Sequence, residues 1–434
     1  MTPEPIDTVV VGGGQAGLAT SYHLSRIGLP HVVLEAGQVG QTWRTERWDS
    51  FTLVTQSSLT RLPGRTPPAG EPEFLPRAGI VTMLEGYADT IGAPVRSGVA
   101  VLSLGQGLRG DGFRLETSAH PIAARRVVVA SGWYRRPRVP ELAARLPDRV
   151  VQLTTTSYRR PAALPDGGVL VVGSGQAGTQ IAEDLQLAGR QVWLSVGSAG
   201  RVPRRYRGRD GLDWWEALGR WAVTESDAPD PRGRHGPNPH LSGARGGHTI
   251  NLHRFARDGI QLVGRVLEVD GERLHLAPDL HDQLASVDRF AATYRAKVDE
   301  FIERLRLDAP AADSVNTDEH DGTEGFGVPL LTELDLAREG ITAVVWTPGF
   351  RPDFGWIRLP VLDGRGDPIH DRGITAVPGL AFVGLRFQSV AGSDLLYGVG
   401  AEAASVADRL AAASIPANRS DSGITVTTRD SRRT

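Results

Sequence analysis

The chain has 434 residues, 40% of them hydrophobic, and a formal net charge of −2. That length supports two or three domains with proper cores, and the balanced charge gives no footing for nucleic-acid binding. With no cysteine and Lys297 as its only lysine, the chain has no disulfide framework, thiolate metal site, cysteine nucleophile or dithiol relay, and Schiff-base catalysis is disfavoured.

Residues 6–35 read as strand, glycine turn, helix and strand. The apolar run Val9-Val10-Val11 enters Gly12-Gly13-Gly14-Gln15-Ala16-Gly17, a G-x-G-x-x-G spacing placed directly before a helical pattern. In such a turn the first glycine makes the strand-to-helix bend, the second admits a pyrophosphate to the backbone, and the third lets helix and strand pack closely. The pyrophosphate then rests on the exposed amides and positive end of the helix. His31-Val32-Val33-Leu34 reads as the next strand and ends at Glu35. A carboxylate about 20 residues past the glycines suits a ribose diol; the alternative is a solvated strand-end glutamate. The first strand starts near Ile6, which leaves no room for a signal peptide, and no run approaches the ~20 apolar residues of a membrane span. The expectation is a soluble, cytoplasmic protein.

Residues 127–140 are an apolar strand that stops in glycine and proline, as a connection between domains does. Residues 168–195 then repeat the first unit. Val169-Leu170-Val171-Val172 enters Gly173-Ser174-Gly175-Gln176-Ala177-Gly178, and Val192-Trp193-Leu194-Ser195 puts Ser195 where the first unit has Glu35. Loss of the acid removes repulsion against a 2′-phosphate, and Arg201, Arg204 and Arg205 follow within reach of one. The second site is therefore expected to prefer NADPH over NADH, unless these arginines form a solvated turn.

Residues 226–250 are rich in Gly, Pro, Asn and Arg and read as a long surface loop. Residues 279–308 carry helical apolar spacing (Leu284, Val287, Tyr294, Val298, Ile302, with Phe290, Phe301 and Leu305) and predict an amphipathic helix with Lys297, Asp299, Glu300 and Glu303 on its solvated face. Strand patterns return at 341–346, followed by Thr347-Pro348-Gly349-Phe350, and at 380–383, closing on Gly384. Gly392-Ser393-Asp394 then opens a predicted helix of small residues reaching about Ala412, whose start could hold a flavin carbonyl or ribityl chain. The last twenty residues are polar and aperiodic, which predicts a disordered tail. The eleven histidines show no metal-ligand spacing, and no metal is assigned.

Taken together, residues 5–412 resemble the class B flavoprotein monooxygenases, the flavin-containing monooxygenase-like group. The resemblance rests on an ordered set. The first glycine motif with Glu35 would be the FAD site. Gly40-Gln41-Thr42-Trp43-Arg44 is similar to the family's G-G-x-W-R segment beside the flavin. Ala130-Ser131-Gly132 with Pro137 and Pro140 looks like its A-T-G-x-x-x-x-P linker. The second glycine motif would bind NADPH, and Trp346-Thr347-Pro348-Gly349-Phe350 stands where the family has A-T-G-Y. The family identifier F-x-G-x-x-x-H-x-x-x-Y/F is degenerate here: in register with Tyr158, its histidine falls on Thr154, its glycine on Val150 and its phenylalanine on Asp148. The asparagine near flavin and substrate falls on Val54, beside Thr55 and Gln56.

The resemblance implies an α/β fold of two Rossmann-like dinucleotide-binding domains, the NADPH domain (166–319) inserted into the FAD domain (1–165 and 320–415). Gly12, Gly14, Gln15, Ala16, Gly17 and Glu35 would hold FAD, with Trp43, Arg44, Gly384 and Asp394 near it. Gly173, Gly175, Gln176 and Gly178 would hold NADPH, with Arg201, Arg204 and Arg205 at its 2′-phosphate. Thr55 and Gln56 are candidates for the oxygen-reactive face, against ordinary polar packing. The implied chemistry is hydride transfer from NADPH to flavin, a C4a-(hydro)peroxyflavin, and transfer of one oxygen atom to an amine, sulfide or ketone. Two other readings stand beside it: an NADPH oxidase or reductase without oxygenation, and a nucleotide-sensing protein whose flavin is absent or inert.

Overall fold

The computed structural model of the protein describes residues 5–107, 112–230, 232–312 and 322–412; the tail expected at 416–434 lies outside them. Ile6–Val11 is a strand because its valines are β-branched, and Val9, Val10 and Val11 are buried. It breaks at Gly12, where φ is +112°, a conformation that L side chains rarely adopt. Gln15–Arg26 is then helical. Ile6–Val11 pairs in parallel with His31–Glu35 on one side and with Ile122–Val129 on the other. Val95–Ser97 and Leu380–Phe382 add in parallel beyond those two, and Phe113–Thr117 and Val101–Gln106 extend the sheet antiparallel. Among the described residues this makes a seven-stranded sheet, completed by a strand from near the far end of the chain. The helix Val399–Ala412 packs on Gln15–Arg26.

The second sheet is parallel throughout, in the order Gln261–Val263, Val192–Ser195, Gly168–Val172, Ile341–Trp346, Val151–Thr154. Parallel sheets are covered on both faces, which explains the unbroken apolar runs at 169–172 and 192–194. The inserted unit is thus wider than 166–319: pairing places Val151–Thr154 and Ile341–Trp346 in its sheet. Val151–Thr154 is an edge strand, exposed at Val151 and Gln152, so its pattern does not announce a core strand. The two connections between the units lie side by side. Arg136–Pro137 pairs antiparallel with Phe350–Arg351, and the Arg138 amide donates to Gly349 O at 2.8 Å.

One apolar cluster contains Val10 and Leu18 of the first unit together with Tyr158, Val171 and Ile181 of the second. The predicted amphipathic helix is Leu280–Leu305 and buries Leu284, Val287, Tyr294, Val298 and Ile302. Phe290 and Leu305 stay outside its buried stripe, and Asp299 is tied to Arg207 and the Tyr206 hydroxyl. Two elements differ from expectation. The described residues of 226–250 are not a free surface loop: His240, Leu241 and Ile250 are buried, and Arg201 bridges His240. The surrounding Pro and Gly hid those residues. Gly392-Ser393-Asp394 does not open a helix; residues 391–398 are turns and the helix starts at Val399. Ser393 holds the turn. Its hydroxyl accepts from the amides of Ser389 and Val390 and bonds the buried Glu402 carboxylate at 2.7 Å.

Candidate functional site

In open α/β sheets, ligands bind beyond the carboxyl ends of the parallel strands. Here both sheets point those ends into one cavity of about 1610 Å3. From the first sheet come Gly12 and Gly14, Glu35, Ala130 to Gly132, and Gly384; from the second come Gly173 and Gly175, Ser195, and Trp346 to Gly349.

The two glycine turns are built alike. A Cβ on Gly12 would meet Ala130 O at 2.5 Å, and one on Gly173 would meet Thr347 O at 2.9 Å. The Ala130-Ser131-Gly132 and Thr347-Pro348-Gly349 segments therefore cross their turns in equivalent places, each forbidding a side chain there. A Cβ on Gly14 or Gly175 would meet nothing within 4 Å. These second glycines start the helices Gln15–Arg26 and Gln176–Leu187 without a side-chain cap, so the first helical amides face open space. That is the cradle a diphosphate requires. The third glycines do not line the cavity. A Cβ on Gly17 would lie 1.8 Å from Gly12 O, and on Gly178 1.9 Å from Gly173 O, so both serve helix-to-strand packing. Glu35 lines the cavity with its carboxylate oriented by backbone: Oε2 accepts from the Gly13 amide at 2.7 Å and Oε1 from Gly37 at 2.9 Å. The two glycine cradles and the oriented carboxylate fit two dinucleotides.

Ala16 and Gln15 also line the cavity, and Gln15 Nε2 donates to Asp394 O at 2.9 Å. Asp394 accepts the Tyr134 hydroxyl at 2.9 Å, and burial raises its pKa against the opposing effect of Arg386. Gln176 lines the second turn.

The segment around Trp43 divides. Trp43 faces the cavity, but Arg44 turns away to Glu85 at 2.5 Å. Arg47 lies at the cavity instead, its guanidinium 5.1 Å from the Trp43 ring centroid. The short helix Gln41–Thr45 ends between the two arginines, and that end decides which one faces inward. Thr55 lines the cavity, as does Val54. Gln56 does not; it is buried with Nε2 3.3 Å from Glu73 Oε1.

The arginines expected at a 2′-phosphate are elsewhere. Arg204 is buried in a two-bond pair with Asp210 (2.7 and 2.6 Å), donates to Val54 O, and lies over the Phe74 ring. Arg201 is buried against Asp288 at 3.1 Å, and Arg205 reaches Glu73 at 2.7 Å. None of the three lines the cavity. Their acidic partners arrive from a hairpin, a later helix and an early loop, which sequence spacing does not reveal. The arginines lining the cavity with Ser195 are Arg232, which donates to Ser198 Oγ at 2.9 Å, and Arg265. Thr154, at the histidine position of the degenerate identifier, ends its strand and accepts the Tyr158 amide at 2.9 Å; its neighbour Thr155 faces the cavity. Tyr158 is buried, with its hydroxyl on Asp184 at 2.6 Å. Residues 228–230 and 232–239, with Leu241, line the cavity, held to the second unit by Gln180 Nε2 on Leu241 O and to the first by Arg386 on Gly236 O. Composition alone did not place them there.

Two glycine cradles opening on one cavity, in two sheets joined by a double crossing, define a two-dinucleotide oxidoreductase fold. The profile of the pyridine nucleotide-disulphide oxidoreductases matches residues 9–207. A CzcO-like oxidoreductase of Geobacillus kaustophilus is 30% identical over 404 residues, covering 92% of this chain and 96% of that protein. The chain belongs to this family of CzcO-like oxidoreductases. An indole-3-pyruvate monooxygenase of Oryza sativa, YUCCA1, is 29% identical over 216 residues, 49% of this chain and 53% of that one. A flavin-containing monooxygenase from Stenotrophomonas maltophilia shares the fold, with a TM-score of 0.63 at 20% identity over 94% of this chain and 99% of that one. The resemblance to the flavin-containing monooxygenase group therefore holds at the level of fold. Among the described residues no helix is long and apolar enough to cross a membrane.

Proposed function

We propose that the chain is an FAD- and NADPH-dependent monooxygenase of the cytoplasm. One oxygen atom of O2 goes to a small organic substrate by N-, S- or Baeyer–Villiger-type oxidation, the other leaves as water, and NADPH supplies the two electrons. The observation that carries the reading is the single cavity onto which both glycine cradles open, with apolar walls beside them. Bound flavin would supply the oxygen chemistry. The chain's own residues bind, orient and exclude water. Gly12, Gly14 and Glu35 take the FAD diphosphate and ribose, while Trp43, Gly384 and Asp394 lie toward its ring. Gly173, Gly175 and Gln176 take NADPH. Water exclusion falls to residues 228–230 and 232–239 and to Trp48, Phe51 and Leu53, which line the same space. On this reading the FAD unit is the first sheet and the NADPH unit is the inserted sheet, from about Val151 to Trp346.

The 2′-phosphate role moves to Arg232 and Arg265. Replacing both with Ala should raise KM for NADPH about tenfold or more over any change for NADH, since bonds to a charged group are worth about 1.5–3 kcal/mol each. Equal changes for the two nucleotides would remove the assignment. The main test is stoichiometry. With a panel of amines, sulfides and ketones and isotopically labelled O2, NADPH consumption should be matched by labelled product. NADPH consumption matched by hydrogen peroxide across the panel, with no labelled product, would replace the proposal with an oxidase.

A further inference from the structure

The cavity is lined by a cation that the nucleotide assignments above leave unused. Arg232, Arg234 and Arg265 are paired with Asp230, Glu225 and Asp279. Arg47, Arg138 and Arg386 reach backbone carbonyls. Arg220 also lines the cavity, and among the described residues it has no hydrogen-bond or ion-pair partner; its guanidinium lies over the Trp215 ring, 5.6 Å from the centroid. Trp215 in turn stacks with Phe290 at an interplanar angle of 24° and with Tyr294 at 26°. Trp215 and Phe290 both face the cavity. The result is a flat aromatic wall with one unpaired positive charge on it.

The position of that charge selects its ligand. The segment carrying Arg220 is bonded to the turn that carries Asp394: the Gly392 amide donates to Trp221 O at 2.9 Å and the Ala391 amide to Val223 O at 2.8 Å. Trp221 also packs on Tyr397 with ring centroids 4.4 Å apart. The segment carrying Arg220 therefore lies beside the Asp394 turn, while Phe290, at the other end of the wall, lies against Gly200 on the loop that follows Ser195. A pocket lined mainly by apolar and aromatic groups, with one placed charge, binds a ligand of the complementary pattern. Arg386 also acts on Asp394 but is bonded to Gly236 O and Asn238 Oδ1, so the one guanidinium left without a polar partner among the described residues matches a singly charged anion.

We propose that Arg220 is a specificity-determining residue: it anchors the carboxylate of an aromatic carboxylic acid, whose ring lies along Trp215 and Phe290. That this acid is the substrate rests on the oxygenase reading above; that it binds does not. Binding is therefore measured on the resting, flavin-loaded protein without NADPH turnover, by tryptophan fluorescence. The probes are naphthaleneacetate and its uncharged isostere naphthaleneacetamide, with NADP+ and NAD+ titrated in parallel. The native protein should bind the acid about tenfold or more tightly than the amide. Arg220→Gln should abolish that preference, Arg220→Lys should keep part of it, and NADP+ affinity should stay unchanged in both. Equal affinity of the native protein for acid and amide, or no binding of either, overturns the proposal. So does a loss of NADP+ relative to NAD+ in Arg220→Gln, which would give this cation to the nucleotide. An enzyme that oxygenates nothing can still pass this test, and an oxygenase of neutral substrates fails it, so the two proposals fail separately.

Discussion

Single atoms decide what the glycines do. A methyl on Gly14 enters empty space, whereas a methyl on Gly17 strikes a carbonyl at 1.8 Å. Gly14→Ala should fold with stability within about 1 kcal/mol of the parent yet purify without flavin, because the methyl fills the diphosphate's approach. Gly17→Ala should be destabilised by about 1–3 kcal/mol or more, with low soluble yield. Absorbance at the flavin band and thermal melts of the two variants separate these effects; a fully flavinated Gly14→Ala would show that the first cradle has been misread. His240 offers a second residue-scale effect. Burial, with Arg201 beside it, pushes its pKa from 6.5 down to about 3. At pH 7 the ring is neutral in the folded chain and mostly neutral in the unfolded one, so it contributes little to pH dependence there. As pH falls below 6.5 the unfolded chain takes up the proton and the folded one does not, so stability drops by about 1.4 kcal/mol per pH unit until the folded pKa is reached. His240→Leu removes this loss. Relative to its own pH 7 comparison with the parent, the variant should gain about 2 kcal/mol at pH 5 in urea denaturation; an unchanged difference would refute the buried neutral ring.

At the scale of elements, the hairpin of residues 205–210 and the helix behind it depend on one carboxylate. Asp210 accepts two bonds from Arg204 and also caps the helix Gly211–Ala217 by accepting the Leu212 amide at 2.8 Å. Arg204→Met leaves that buried carboxylate with only the more distant Arg205, 3.7 Å away, and should cost about 3 kcal/mol. The doubly substituted Arg204→Met, Asp210→Asn keeps a cap and removes the stranded charge, so it should recover most of the loss. Urea denaturation of the two variants checks this. If NADPH affinity fell in Arg204→Met with stability unchanged, Arg204 would be a nucleotide ligand after all.

For the whole molecule, the shared apolar cluster across both units predicts one cooperative thermal transition, because neither sheet keeps its packing when the other melts. Two resolved calorimetric transitions would contradict that coupling. Much of this architecture was legible in the chain. Both strand–glycine–helix units, Glu35 and the long amphipathic helix stand where their residue patterns put them, because each depends on contacts within about thirty residues. What escaped the sequence depends on partners far away along it. Arg201, Arg204 and Arg205 are claimed by Asp288, Asp210 and Glu73. Arg47 replaces Arg44 at the cavity because a short helix ends between them. The edge strand Val151–Thr154 carries too little apolar surface to declare its sheet, and the cavity-lining role of 228–230 and 232–239 is masked by a composition typical of free loops.

The insertion also sets an order of events during synthesis. The second sheet has all its strands once Trp346 has left the ribosome. The first sheet, although it begins at Ile6, lacks Leu380–Phe382 until that strand has emerged, and the helix Gln15–Arg26 lacks its packing partner until Ala412 has emerged. The nascent chain can therefore assemble its middle before its beginning. The cradle at Gly12 to Gly17 therefore gains its full support only after the inserted sheet has been made, so nucleotide loading at the first turn is expected to follow folding of the second unit.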